Sequence, residues 1–331
     1  MSAAARARRL GPARLLAVLG AAAVGAFALS LAVGPAGIGI DAGGEARSLI
    51  LTEIRLPRAL LGALVGGSLG LSGAALQGYL RNPLAEPSLV GISGGAALGA
   101  VLAIHLGLSQ ALALALPAGG LAGAALAMIA VVALAGAHGG PLTLILAGLA
   151  VSSIATALIA LALNLARNPF ASVEMVFWMM GSLADRSLAQ LWLSAPLMLA
   201  GMGLLLTVGR TLDALTLGED AAQSLGLDLA RARLLVVAGT ALSVGAATAV
   251  TGIIGFVGLI VPHVLRPFAH HRPGLLLPAS LLGGAVMLLL ADVALRLLQP
   301  VVELRIGVLS ALIGAPFFVW LVFKTRSELA P

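Results

Sequence analysis

The sequence predicts an all-α polytopic membrane protein, and three observations carry that expectation. Hydrophobic residues make up 60% of the chain and charged residues only 10%, with a mean hydropathy of +1.10, whereas soluble domains carry roughly 25% charged residues. The apolar residues fall in blocks of about 20, long enough to cross roughly 30 Å of hydrocarbon as helices. The charges sit where those blocks end. A soluble fold of 331 residues would need a charged surface that this composition lacks.

The spans follow in order, about ten by the 20-residue criterion: 12–34, 57–80, 88–107, 112–136, 142–165, 188–209, 232–253, 255–268, 274–298 and 306–323. The first follows Arg6, Arg8, Arg9 and Arg14. Its apolar run from Leu15 to Val33 exceeds the h-region of a secretory signal, so it reads as an uncleaved span. The second runs uncharged from Ala59 to Leu80 and breaks at Arg81-Asn82-Pro83-Leu84-Ala85-Glu86-Pro87. Two prolines around a glutamate stop a helix there. The block at 255–268 is short and reads as partly re-entrant or tilted. Threading from a cytoplasmic N-terminus places Arg81, Arg210, Arg231, Arg233, Arg266, Arg272, Lys324 and Arg326 inside. Arg47, Arg55, Arg58, Arg167, Arg186, Arg296 and Arg305 then lie outside, and both termini are cytoplasmic.

An internal echo divides the chain into approximate halves, 1–186 and 187–331, within one transmembrane domain. A helix from Arg55, the break and Gly91-Ile92-Ser93-Gly94-Gly95 are echoed by a helix from Arg231, Gly252 to Gly258 and Pro262-His263. The units point in opposite directions in this threading, as inverted repeats of transporters do. Glycines spaced as 62/66/70 and 91/95/99 suit close helix contacts.

Several chemistries are excluded. The only lysine is Lys324, so no P-loop exists and any ATP must be hydrolysed by another polypeptide. There are no cysteines, no His-Glu-x-x-His, and the five histidines do not cluster with acids. The net charge of +6 arises at span ends rather than on a basic stripe with aromatics, which argues against nucleic acid. An ion-coupled secondary transporter would bury acids near mid-membrane, but here they lie near span ends or in loops. No convergent nucleophile, base or metal set marks a membrane enzyme.

The motifs Arg55-Leu56-Pro57-Arg58, Gln77, Asn82-Pro83-Leu84-Ala85-Glu86-Pro87, Leu217-Gly218-Glu219, Gly255-Phe256-Val257-Gly258 and Ala291-Asp292-Val293 together resemble the FecCD-type family. These are the membrane subunits of ABC importers for iron-siderophores, haem and cobalamin. The resemblance covers nearly the whole chain and implies a type II importer permease fold. It also implies a homodimer with two ATPase subunits, which bind ATP and Mg, and a periplasmic binding protein that delivers the cargo. The chain itself would carry no cofactor and lie in the bacterial inner membrane. The cargo is expected to be a ferric siderophore or haem, with cobalamin as the alternative.

The resemblance also assigns residues. Arg55, Arg58 and Arg296 would dock acidic residues of the binding protein; by residue chemistry alone they could equally snorkel to headgroups, and Asp292 could pair with Arg296 four residues on. The polar stretch 210–233 contains a short helix with acidic first residues and a glycine stop. There the resemblance places ATPase coupling on Leu217, Gly218, Glu219, Ala221, Leu225 and Gly226. It places a cytoplasmic gate at Gly139, Gly140 and Thr143. Segment 168–186, with Phe170, Phe177 and Trp178, reads as an outer surface helix. His263 reads as a packing or capping residue. Gln77, Asn164, Ser152, Ser153 and Thr156 are the main polar residues within spans, each able to bond a neighbouring helix.

Overall fold

The computed structural model describes residues 11–34, 37–39, 43–136, 139–166, 168–298 and 304–329. Arg6, Arg8, Arg9 and Arg167 lie outside the described residues. The chain is a helical bundle. Pro12 opens α1 (Pro12–Ala32), since proline at the first turn gives up only an amide that would be unpaired anyway. A two-residue hairpin, β1 (Val33–Gly34) with β2 (Gly37–Ile38), follows. Then α2 (Gly44–Leu49) runs through a π-turn at Ile50–Arg55 into α3 (Leu56–Tyr79).

Beyond the break lie α4 (Ile92–His105), α5 (Leu108–Ala111), α6 (Ala115–Ala135), α7 (Pro141–Asn164) and α8 (Pro169–Met179). The second half contains α9 (Leu188–Thr207), α10 (Gly209–Leu215), α11 (Glu219–Ser224) and α12 (Leu229–Thr251). It closes with α13 (Val257–Leu265), α14 (Pro273–Leu298) and α15 (Ile306–Leu329). Ser187 and Gln190 form a reciprocal capping box that starts α9.

All ten apolar blocks are helical. Eight helices among the described residues are long and apolar enough to cross a membrane. The expected span at 88–107 is instead a short helix, α4 with 14 residues, and the block read as short at 255–268 is α13 with nine. Each is shortened by a left-handed residue at its start, Gly91 at φ 79° and Phe256 at φ 66°. α13 runs alongside the last turns of α3, with Gly258 against Gly73 and Arg266 reaching Gln77. α4 climbs the other way, Gly95 meeting Gly123 and Gly99 meeting Gly119 of α6. The two broken helices therefore point in opposite directions, as the inverted repeat requires.

The core sits on α3, α12 and α14. The expected glycine contacts are made within this chain. A Cβ at Gly66 would lie 2.3 Å from Gly284 O, and one at Gly70 2.2 Å from Ser280 O. Only glycine lets α3 and α14 approach so closely. Ser153 and Thr156 donate to Leu149 O and Ser152 O of their own helix, at 2.8 Å each, rather than to a neighbouring helix. His263 packs edge-on against Phe317 and Trp320 of α15.

Candidate functional site

The two halves are joined where the helices break. In the first break, Asn82 Oδ1 accepts from Leu84 N–H at 2.9 Å and holds the turn. Glu86 then accepts from the N–H of Phe256, the residue that caps α13. A carboxylate at a helix N-terminus meets both an unpaired donor and the positive end of the helix dipole. Gln77 Nε2 donates to Ala85 O and to Gly258 O, both at 3.2 Å, so one buried amide ties α3 to both broken segments.

A charge cluster occupies the end of the bundle where α3 begins. Asp292, only 1% exposed, accepts from Arg58 Nε at 3.0 Å through each oxygen and from Arg58 Nη2 at 2.7 Å. Its other oxygen lies 2.8 Å from Arg296 Nη2 one turn on. Arg296 also donates to Ser30 O at 2.8 Å and Val33 O at 2.6 Å. Arg55 donates to Leu31 O and Ala32 O, both at 2.8 Å, and to Gly39 O at 2.6 Å. Two arginines from opposite halves thus satisfy the carbonyls that α1 leaves open at its C-terminus.

All three arginines expected to dock a binding protein lie at this end of the bundle. Arg55 and Arg296 are buried and occupied within the chain, and neither snorkels. Arg58 is half-buried at the mouth of a cavity of about 170 Å³, also lined by Ser182, Asp292, Arg296 and Arg305. Nearby, Arg186 reaches Ser182 O, and burial lowers its pKa while Asp185 opposes that shift.

At the opposite end the remaining predicted residues come together. Gly218, at φ 107°, starts the short helix α11, and Gly226, at φ 76°, ends it. Ala222 is fully buried while Leu217 and Leu225, which flank α11, are 72% and 65% exposed. Ala221 is half-buried. Arg81 Nη2 lies 2.9 Å from Glu219. Gly139 and Gly140 lead into α7, whose first residue is Pro141, with Thr143 exposed in its first turn. A cavity of about 210 Å³ separates them from α11, bounded by Tyr79, Gly140, Glu219, Gln223 and Arg233.

Arg233 reaches across and donates to Gly139 O. Sequence reasoning missed that contact, although a signal existed: Arg231 and Arg233 fall in the first turns of α12, where the helix dipole disfavours cations. α8 forms in the expected surface segment, with Asn168 Oδ1 capping it through Ala171 N–H and Phe170 84% exposed. Among the described residues no group of three or more His, Cys, Asp or Glu could hold a metal ion.

Comparison with known proteins agrees with this geometry. The vitamin B12 import system permease proteins BtuC of Salmonella paratyphi A (strain ATCC 9150 / SARB42) and Salmonella typhimurium (strain LT2) are each 41% identical over 282 residues. The alignment covers 84% of this chain and 84% of each relative. A solved metal-chelate type ABC transporter in an inward-facing conformation superposes with a TM-score of 0.85 at 33% identity. It covers 93% of this chain and 98% of that one. The FecCD transport family model matches residues 15–324, and with inverted half-helices, Arg-Leu-Pro-Arg cluster and terminal helix all in place, this chain belongs to the FecCD transport family.

Proposed function

We propose that the chain is the permease subunit of an ATP-driven importer that moves a bulky metal chelate from periplasm to cytoplasm by alternating access. The observation that carries this reading is that α11 and the Gly139-Gly140 turn face one cavity at one end of the bundle, which Arg233 of α12 also lines while donating to Gly139 O. A short helix flanked by exposed Leu217 and Leu225 beyond the spans suits docking in a groove of an ATPase subunit. The cavity that α11 shares with the turn before α7, and the Arg233 hydrogen bond to Gly139 O on its far wall, would give ATP-driven motion a route to a gate at Gly139, Gly140 and Thr143.

Two copies of the chain and two ATPase subunits would form the working unit, with both termini in the cytoplasm of a bacterium and the path between the copies. A periplasmic binding protein would dock at the Arg58 end. There Arg58 supplies the accessible guanidinium, and Arg55 and Arg296 hold the end of α1 beside it. Carboxylates of the partner suit this surface because two guanidinium groups, Arg58 and Arg296, share the single carboxylate of Asp292 and leave a net positive charge.

For the cargo, the similarity to the B12 permeases supports a corrinoid, and the similarity to the metal-chelate transporter supports a ferric chelate such as a siderophore or haem. Proteoliposomes containing the chain, its ATPase and its binding protein test both. Cobalamin, haem and a panel of ferric siderophores are offered in parallel, with and without ATP. Uptake of one cargo requiring all three components is the expected result. Uptake driven by an ion gradient without the ATPase would place the protein among secondary transporters.

A further inference from the structure

Where α3 ends and α14 begins, a cavity of about 280 Å³ opens beside Gln77 and Pro273. Its titratable lining consists of Arg81, Arg266 and His271, with no carboxylate. The Arg266 guanidinium donates to Gln77 Oε1, a neutral acceptor. Two carboxylates lie nearby, one paired with Arg81 on the rim of the cavity and the other with groups outside its lining. Glu219 faces Arg81 at 2.9 Å. Asp213 accepts from Gly274 N–H at 2.7 Å and lies 3.6 Å from Arg272 Nη2. Arg266 is thus half-buried with a full charge and no counter-ion in hydrogen-bonding reach among the described residues.

A charge withdrawn from water without a partner is costly, and an anion entering the cavity would offset that cost. The planar guanidinium suits an oxyanion that accepts two parallel hydrogen bonds, and phosphate has that shape. The cavity also lies at the right level. It sits where the apolar helices α3 and α14 reach their ends, the depth at which lipid phosphates meet a transmembrane bundle. The turn that supplies His271 is held in an unusual backbone state, His270 and His271 both adopting positive φ, 51° and 58°. Non-glycine residues pay for such conformations, so the turn is fixed by its surroundings rather than by local preference.

We propose that this cavity is a binding site for a phosphate anion, occupied by the headgroup of an acidic phospholipid or by free phosphate of the same chemistry. Arg266 is the inner ligand, and Arg81 and His271 form the rim. The site stands apart from the proposed transport path and holds whatever the cargo is.

The test uses the full chain purified in a neutral detergent. Native mass spectrometry measures retention of phosphatidylglycerol against phosphatidylcholine, and thermal unfolding is followed in inorganic phosphate against chloride at equal ionic strength. The variants are Arg266→Gln and the exposed pair Arg81→Gln with His271→Gln. If Arg266→Gln does not fold, the exposed pair carries the test. For a lipid site the parent retains phosphatidylglycerol preferentially, and each arginine removed lowers that retention about fivefold. For a free-phosphate site, phosphate raises the parent's unfolding temperature and has less effect on the variants. Equal retention of both lipids with no phosphate effect overturns the proposal. So does phosphatidylglycerol retention that the exposed pair leaves unchanged when phosphate also has no effect.

Discussion

Arg58 and Asp292, 234 residues apart in sequence, meet in a forked ion pair with three N···O contacts between 2.7 and 3.0 Å. Asp292 also carries Arg296, so a single buried carboxylate balances two guanidinium groups. Replacing it leaves both cations facing a neutral side chain. Asp292→Asn should cost about 3–5 kcal/mol, as removing one partner of a buried pair does. Thermal unfolding in detergent measures the loss, and adding Arg58→Gln should recover part of it. An unchanged midpoint for Asp292→Asn would mean the cluster contributes nothing to the fold.

The contact of α3 with α14 predicts a contrast between glycines. Gly66→Ala places a methyl group against Gly284 O and should destabilise by about 1–3 kcal/mol through overpacking. Gly20 of α1 has nothing within 4 Å of its added Cβ. Gly20→Ala should therefore be neutral or stabilise by up to about 1 kcal/mol through helix propensity. Equal unfolding midpoints for the two variants would contradict the packing argument.

Arg233→Ala releases the carbonyl of Gly139. A hydrogen bond from a charged donor contributes about 1.5–3 kcal/mol, so uptake in the reconstituted importer should fall by about tenfold or more. ATP hydrolysis should persist, because α11 itself is untouched. The measurement is uptake per ATP hydrolysed; a ratio equal to the parent's would remove Arg233 from the coupling route.

Leu225 is largely exposed beside the glycine that ends α11. Leu225→Glu should leave the unfolding midpoint within about 0.5 kcal/mol of the parent, as expected of a surface change. The same variant should lose stimulation of ATPase activity by the binding protein and cargo. Retained stimulation would move the ATPase contact elsewhere on the chain.

Features written in neighbouring residues were legible in the sequence. Prolines around Glu86 announced the break, the glycines at 218 and 226 bounded α11, and the spacing of Asp292 and Arg296 suggested their pair. Features that depend on long-range contact were not. The hold of Arg55 and Arg296 on the end of α1 was not legible, because nothing in α1 marks its terminal carbonyls as acceptors; every helix has them. Glu86 could not be assigned to Phe256 across 170 residues, and Arg233 could not be assigned to Gly139 across 94. The shortness of the 255–268 block was legible, but that of α4 escaped because apolar composition continues on both sides of the left-handed Gly91 that starts it.

Those two short helices limit which flank of the molecule can touch hydrocarbon. At 1.5 Å per residue, α4 and α13 extend about 21 Å and 14 Å, too little to cross the apolar layer of about 30 Å. Their starting ends therefore lie at membrane depth, where Ser88 and Leu89 are exposed beside Glu86. Acyl chains cannot solvate such irregular backbone. The annular lipid must stop short of this flank, and either water or another protein surface completes the wall there.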